Sequence, residues 1–174
     1  MHKTVKDASA AALEAGILRH LRAQNVFVPK VMECRDSRLV LEYLPGEPLP
    51  ELLERGDYNP EALARALCDW FAAFYAAIPP GELRGDVNGR NFLYNGARIA
   101  SVDFEERCYG HPAEDAGRLA AFIESYDTKY PEMQAALSRA FMRRFDESLS
   151  CGMEGILRER EREYAAMRLR RQKK

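Results

Sequence analysis

Arg84-Gly85-Asp86-Val87-Asn88-Gly89-Arg90-Asn91-Phe92-Leu93-Tyr94, then Ile99-Ala100-Ser101-Val102-Asp103-Phe104-Glu105, is the stretch around which the chain is arranged. Two short apolar runs, Phe92 to Tyr94 and Ile99 to Val102, flank Asn95-Gly96, the strongest short-range hairpin signal. A polar loop therefore feeds a tight hairpin, and an Asp-Phe-Glu leaves its far end. Asn91 stands five positions after Asp86, and Asp103 twelve after Asn91. This layout predicts Asp86 and Asn91 at one end of the hairpin, with Asp103 brought back beside them.

Three oxygen donors meeting at one point suit Mg²⁺, which takes one or two carboxylates together with substrate phosphates. Phosphoryl transfer needs such a metal and a group that orients or deprotonates the attacking hydroxyl. The Asp-x-x-x-x-Asn spacing followed by Asp-Phe-x resembles the catalytic and metal loops of protein kinases. Arg84-Gly85-Asp86 resembles the His-Gly-Asp of the aminoglycoside phosphotransferase and choline kinase branch. Asp86 to Asn91 is similar to the Asp-Leu-Asn-x-x-Asn of the lipopolysaccharide (Kdo) kinases. Asp103-Phe104-Glu105 is similar to the Asp-Phe-Glu that replaces Asp-Phe-Gly in small-molecule kinases. The resemblance implies an α+β, protein-kinase-like two-lobe fold with a truncated N-lobe and a mainly helical C-lobe. It implies that Asp86 orients or deprotonates the acceptor, that Asn91 and Asp103 hold metal, and that ATP and Mg²⁺ are the cofactors.

At 174 residues the length suits one domain, or two small lobes sharing a cleft. Apolar content of 47% and charged content of 30% are globular values. A net charge of −1 gives no overall field to attract nucleic acid or a membrane. Cys34, Cys68, Cys108 and Cys151 lie far apart and form no Cys-x-x-Cys pair, which argues against zinc. Reduced thiols in a cytoplasmic protein are the expectation. No apolar run reaches the roughly 18 residues of a membrane-spanning helix, and the N-terminus has no signal-peptide core.

Residues 1–44 read as a reduced N-lobe, 45–50 as a hinge and 51–174 as a helical C-lobe. A short strand from His2 leads to a helix over about Ala10 to Gln24, capped by Ser9 or Asp7. Glu14 shares that helix's apolar stripe with Ile17, Leu18 and Leu21, where a carboxylate is costly unless paired. In kinases a helix Glu orients a strand Lys onto the nucleotide phosphates. Lys3 and Lys6 are both candidates for that partner; strand alternation sets Lys3 on the face of Val5 and favours it. Two strands follow, Val28 to Val31 and Arg38 to Tyr43, joined at Arg35-Asp36-Ser37. The run Leu39 to Leu49 resembles the family's hinge. Carried over, Leu41 lies at the back of the pocket, with the Glu42 carbonyl and the Leu44 amide facing adenine. The sequence departs from the family before Lys3, where no glycine-rich hairpin stands to cover the phosphates. Nucleotide is then held without a lid, or another chain supplies the lid, or ATP is not used productively.

In the C-lobe, Asn59 and Pro60 predict a helix start, with Leu63, Leu67, Trp70, Phe71, Phe74 and Ile78 on one core stripe. Trp70 is expected in packing and His111 in a turn. Pro112 to Ala120 resembles the Pro-x-x-Asp-Leu-Ala that follows the metal loop in the family. There the Asp accepts hydrogen bonds from the catalytic-loop backbone, which makes Asp115 a supporting residue. The segment from Glu105 to Pro112 is too short for a peptide-docking loop, which favours a small-molecule or glycan acceptor. Further helices are expected over Lys129 to Ser148 and Glu154 to about Arg170, and the basic end reads as a solvated helix terminus. Three functions follow: a Mg·ATP phosphotransferase acting on a hydroxyl, a pseudokinase that binds nucleotide or acts as a scaffold, and a compact protein kinase of the Bud32 type. A second subunit completing the lid or the acceptor pocket is the expected protein partner.

Overall fold

The first helix, α1 (Ala8–Ala23), follows a short strand, β1 (His2–Thr4), in a computed structural model that describes residues 2–104 and 108–172. Asp7 starts the helix: its Oδ1 accepts the Ala10 N–H at 2.9 Å, satisfying one of the donors a helix start leaves unpaired. Ala11, Glu14, Ala15, Leu18 and Leu21 form the buried face. That face covers an antiparallel sheet of order β1-β3-β2, where β2 is Val31–Arg35 and β3 is Arg38–Leu41.

The expected strand over Val28 to Val31 is displaced. Val26 and Val28 are buried, but as extended coil beneath α1; the ladder starts at Val31, opposite Leu41, and ends at Arg35, opposite Arg38. β2 is an edge strand whose Met32 is 61% exposed, so its apolar content does not mark its limits. The turn centres on Asp36, held at φ 50, a conformation that Asp tolerates better than most residues. β3 stops at Leu41 rather than Tyr43, although the Glu42 N–H still donates to the Lys30 carbonyl at 2.8 Å.

The rest is mainly helical: α2 (Leu49–Arg55), α3 (Pro60–Ala77), α4 (Pro112–Ser125), α5 (Pro131–Leu149) and α6 (Met153–Gln172). Asn59 Oδ1 caps α3 by accepting the Ala62 N–H, and Pro60 opens it. His111 proves to be the cap of α4, with Glu114 completing a capping box. α3 packs on α5 and α4 on α6. A Cβ on Gly117 of α4 would lie 2.6 Å from the Arg160 nitrogen of α6, so glycine permits that close approach.

Two small sheets complete the architecture. β4 (Glu47–Pro48), β6 (Phe92–Tyr94) and β7 (Ile99–Ser101) form one, and β5 (Glu82–Leu83) pairs with β8 (Cys108–Tyr109). This mixture of helices with small antiparallel sheets is compatible with an α+β class. One cluster of buried apolar residues runs from Val5 to Ile156. Trp70 stands at its centre, stacked on Phe74 at 5.2 Å and edge-on to Phe92 at 5.5 Å, with Nε1 donating to the Phe27 carbonyl at 3.1 Å. Each such ring contributes roughly 1.5–3 kcal/mol by burial. The cluster thereby joins the segment before β2 to the hairpin of β6 and β7. Among the described residues, no helix is long and apolar enough to cross a membrane.

Candidate active site

The loop between β5 and β6 is held by a buried carboxylate. Asp115, in the first turn of α4, accepts the Arg84 N–H at 2.7 Å and the Gly85 N–H at 3.2 Å, and the Tyr75 hydroxyl at 2.6 Å. Burial pushes the Asp115 carboxyl up, against the opposing pull of those three donors. Burial, with the neighbouring Asp115 charge, also pushes the Tyr75 phenol far up, so it stays a donor. Gly85 has φ +78, and a Cβ there would stand 2.8 Å from Cys108 Sγ; the chain turns sharply here to present Asp86.

Asp86 and Asn91 meet at the end of this turn. Asp86 Oδ1 accepts the Asn88 N–H at 3.1 Å, and Oδ2 accepts Asn91 Nδ2 at 2.9 Å. The Asn91 amide nitrogen is thus committed to Asp86. The Asn91 carbonyl accepts the Val102 N–H at 3.0 Å, so the next residue along, Asp103, leaves the hairpin beside this loop. Asp103 has φ +66, an uncommon backbone state for a residue with a Cβ.

Asp103 is drawn toward α1 by Lys3. Lys3 Nζ is 2.8 Å from Asp103 Oδ1 and 3.0 Å from both oxygens of Glu14; its bond to Glu14 Oε1 has hydrogen-bond geometry. Glu14 is fully buried, and its Oε1 also accepts the Phe104 N–H at 3.2 Å. Lys6, the other candidate, is exposed. One ion-pair network therefore joins β1, α1 and the segment after β7. Among the described residues no three His, Cys, Asp or Glu side chains cluster as a metal site.

Arg84 is the residue whose part the sequence does not reveal. It is 1% exposed, and its Cζ lies 4.3 Å from the Phe104 ring centre. Its Nη2 donates to the Val102 carbonyl at 2.7 Å and the Asp103 carbonyl at 2.6 Å, so it ties the two loops together. Burial pulls its pKa down, while Asp86, Asp115, Asp103 and Glu14 around it pull the other way. A buried arginine has no periodic or motif signal, and a positional resemblance to histidine does not suggest a strut.

The segment expected to face adenine lies at the end of β3. Leu41 and Leu44 are buried. The Glu42 side chain turns toward α1 and the coil before β2: its Oε2 accepts Arg22 Nη1 at 2.7 Å and the Lys30 N–H at 3.0 Å. Tyr43 between them is 78% exposed. β4 then pairs with β6, placing this linker against the Asp86 hairpin. Glu105, on which the Asp-Phe-Glu resemblance and the short following segment partly rest, lies outside the described residues.

α6 also reaches the site. Met167 and Arg170 line a cavity of about 260 Å³ together with Asp86, Arg118 and Phe122. The basic end of this helix is thus part of a wall as far as Arg170, whose Nη2 also bonds Glu163 Oε1.

No protein-family model matches the chain. Over 91 residues it is 32% identical to the EKC/KEOPS complex subunit BUD32 of Encephalitozoon cuniculi (strain GB-M1), a stretch covering 52% of this chain and 44% of that protein. The chain therefore spans less than half the length of this curated relative. The similarity supports a relationship to the protein-kinase-like superfamily.

Proposed function

We propose that this chain is a kinase-like phosphotransferase that moves a phosphoryl group from Mg·ATP to a hydroxyl of a small molecule or sugar. The observation that carries this reading is the network in which Lys3 bridges Glu14 and Asp103, tied through Arg84 to the loop where Asp86 meets Asn91. The likeness to a kinase-like subunit supports the same class. In this reading residues 1–44 form the small lobe, 45–50 the hinge and 51–174 the large lobe. Asp86 orients the acceptor hydroxyl and takes its proton. Asn91 and Asp103 hold Mg²⁺, which when bound neutralises charge on the phosphates. Lys3, oriented by Glu14, turns from Asp103 to phosphate oxygens. Leu41 backs the base, the Glu42 carbonyl and Leu44 amide meet its edge, and Asp115 keeps the Asp86 loop in place.

A second reading, nucleotide binding without transfer, draws on one observation: Lys3 already neutralises the Asp103 carboxylate at 2.8 Å. One measurement separates the readings. Mg·ATP raises the melting temperature in both, and a screen of hydroxyl compounds for ADP release gives turnover only in the first. Absence of any melting shift at millimolar Mg·ATP removes both.

A further inference from the structure

The cavity beside Asp86 has a fixed floor and a fixed wall. On the floor, a Cβ on Gly89 would stand 2.2 Å from a Phe122 ring carbon, so the loop after Asp86 is packed directly on α4. The wall is α6, locked to α4 at Gly117, by the Tyr164 hydroxyl on Glu124 Oε2 at 2.5 Å, and by Ser125 Oγ on Met167 Sδ at 3.3 Å. The space is about 260 Å³ and opens to solvent, at the small end of ligand pockets. It matches the size of a compact metabolite.

The charges in its lining are specific. Arg170 is paired with Glu163, and both belong to the α6 wall. Arg118 is paired with Glu114, which lies outside the lining, so Arg118 is the lining cation whose counter-ion is not itself part of the cavity. Asp86 calls for a hydroxyl. A guanidinium across a small cavity calls for an anion, which it binds in a planar, two-pronged way. Phe122 and Met167 supply apolar contact between the two.

We infer that the acceptor is a small hydroxylated anion, a carboxylate or a phosphate ester, with its hydroxyl at Asp86 and its charged group on Arg118. Arg118 is then the specificity-determining residue, and α6 fixes the permitted length. This rests on the phosphotransferase reading and narrows its acceptor.

The test compares glycerol, D-glycerate and sn-glycerol 3-phosphate as acceptors for ADP release from Mg·ATP, with acceptor binding followed separately by ligand-observed NMR. The expected result is a KM for at least one anion about tenfold or more below that of glycerol. Whichever anion wins identifies the charged group. Arg118→Gln raises that KM about tenfold with a smaller change in kcat, and lowers the NMR-detected binding in parallel; Arg118→Lys restores part of it. Equal use of glycerol and both anions overturns the inference, as does an Arg118→Gln effect confined to kcat. Failure of both anions to bind or react while Mg·ATP still shifts the melting temperature overturns it too, and leaves the nucleotide half of the proposal standing. Loss of the Mg·ATP shift in the wild type is the separate failure of that half.

Discussion

Lys3 and Asp103, a hundred positions apart in the chain, are joined by a 2.8 Å ion pair. The same ammonium neutralises Glu14, which has no exposure to solvent. Lys3→Met removes both bonds and leaves Glu14 buried with, among the described residues, the Phe104 N–H as its remaining hydrogen-bond partner. The expected loss of stability is about 2 kcal/mol. Chemical denaturation measures it, and the Mg·ATP melting shift should vanish in the same variant.

Asp86→Asn keeps the size of the side chain and changes its chemistry. The fold and the Mg·ATP shift are expected to persist, while ADP release with the best acceptor falls by about 10²–10⁴-fold. Retained turnover in this variant excludes Asp86 as the base.

Arg84→Met strips the donor from the Val102 and Asp103 carbonyls and removes the cation above the Phe104 ring. It also removes a positive charge that attracts the carboxylates of Asp86, Asp115, Asp103 and Glu14, of which Asp103 and Glu14 keep Lys3. A loss of about 3 kcal/mol is expected in urea unfolding. A change below 1 kcal/mol would contradict the strut.

Two glycines should respond in opposite directions to alanine. A Cβ on Gly16, inside α1, meets nothing within 4 Å, so Gly16→Ala gains about 1 kcal/mol of helix propensity. A Cβ on Gly117 meets the Arg160 nitrogen at 2.6 Å and the Ile156 carbonyl oxygen at 2.7 Å, both backbone atoms that cannot rotate aside. Gly117→Ala is expected to cost about 1–3 kcal/mol and to loosen α6. Thermal melts and protease sensitivity of α6 read the contrast.

Asp115 has a pH signature. Its folded pKa lies above the ordinary 3.8 because of burial, so the folded state binds its proton more tightly than the unfolded chain does. The resulting stabilisation is fully present below pH 3.8 and is lost as pH rises through the folded value. Asp115→Asn does not titrate. The stability difference, wild type minus variant, should therefore fall with rising pH across that window, as followed by denaturant midpoints. A difference that rises with pH instead would contradict the raised pKa.

How far the sequence discloses this molecule depends on how local each cause is. The β6–β7 hairpin is legible because Asn95-Gly96 admits the left-handed turn, with Gly96 at φ +91. The start of α3 is legible because Asn59 and Pro60 are local signals. The Lys3–Glu14 pair is reachable because strand alternation and helical period each point one charged residue inward. β2 starts three residues and ends four residues later than expected because its pairing partner β3, not its own apolar content, sets its limits. The strut formed by Arg84 and the approach of Met167 and Arg170 to Asp86 are not legible. Both depend on where distant elements pack, which no short pattern encodes.

Glu14 finds Lys3 eleven positions upstream, but the Phe104 amide that completes its bonding lies ninety positions downstream. A ribosome adding about 5–20 residues per second needs several seconds to cover that distance. Through that interval the carboxylate has a reason to stay hydrated, so α1 gains little by docking early. Burial of this one side chain then dates the synthesis of the segment at Phe104, with residues 105–174 still to follow. A fluorophore on the outer face of α1 would report a middle act of biogenesis rather than the first.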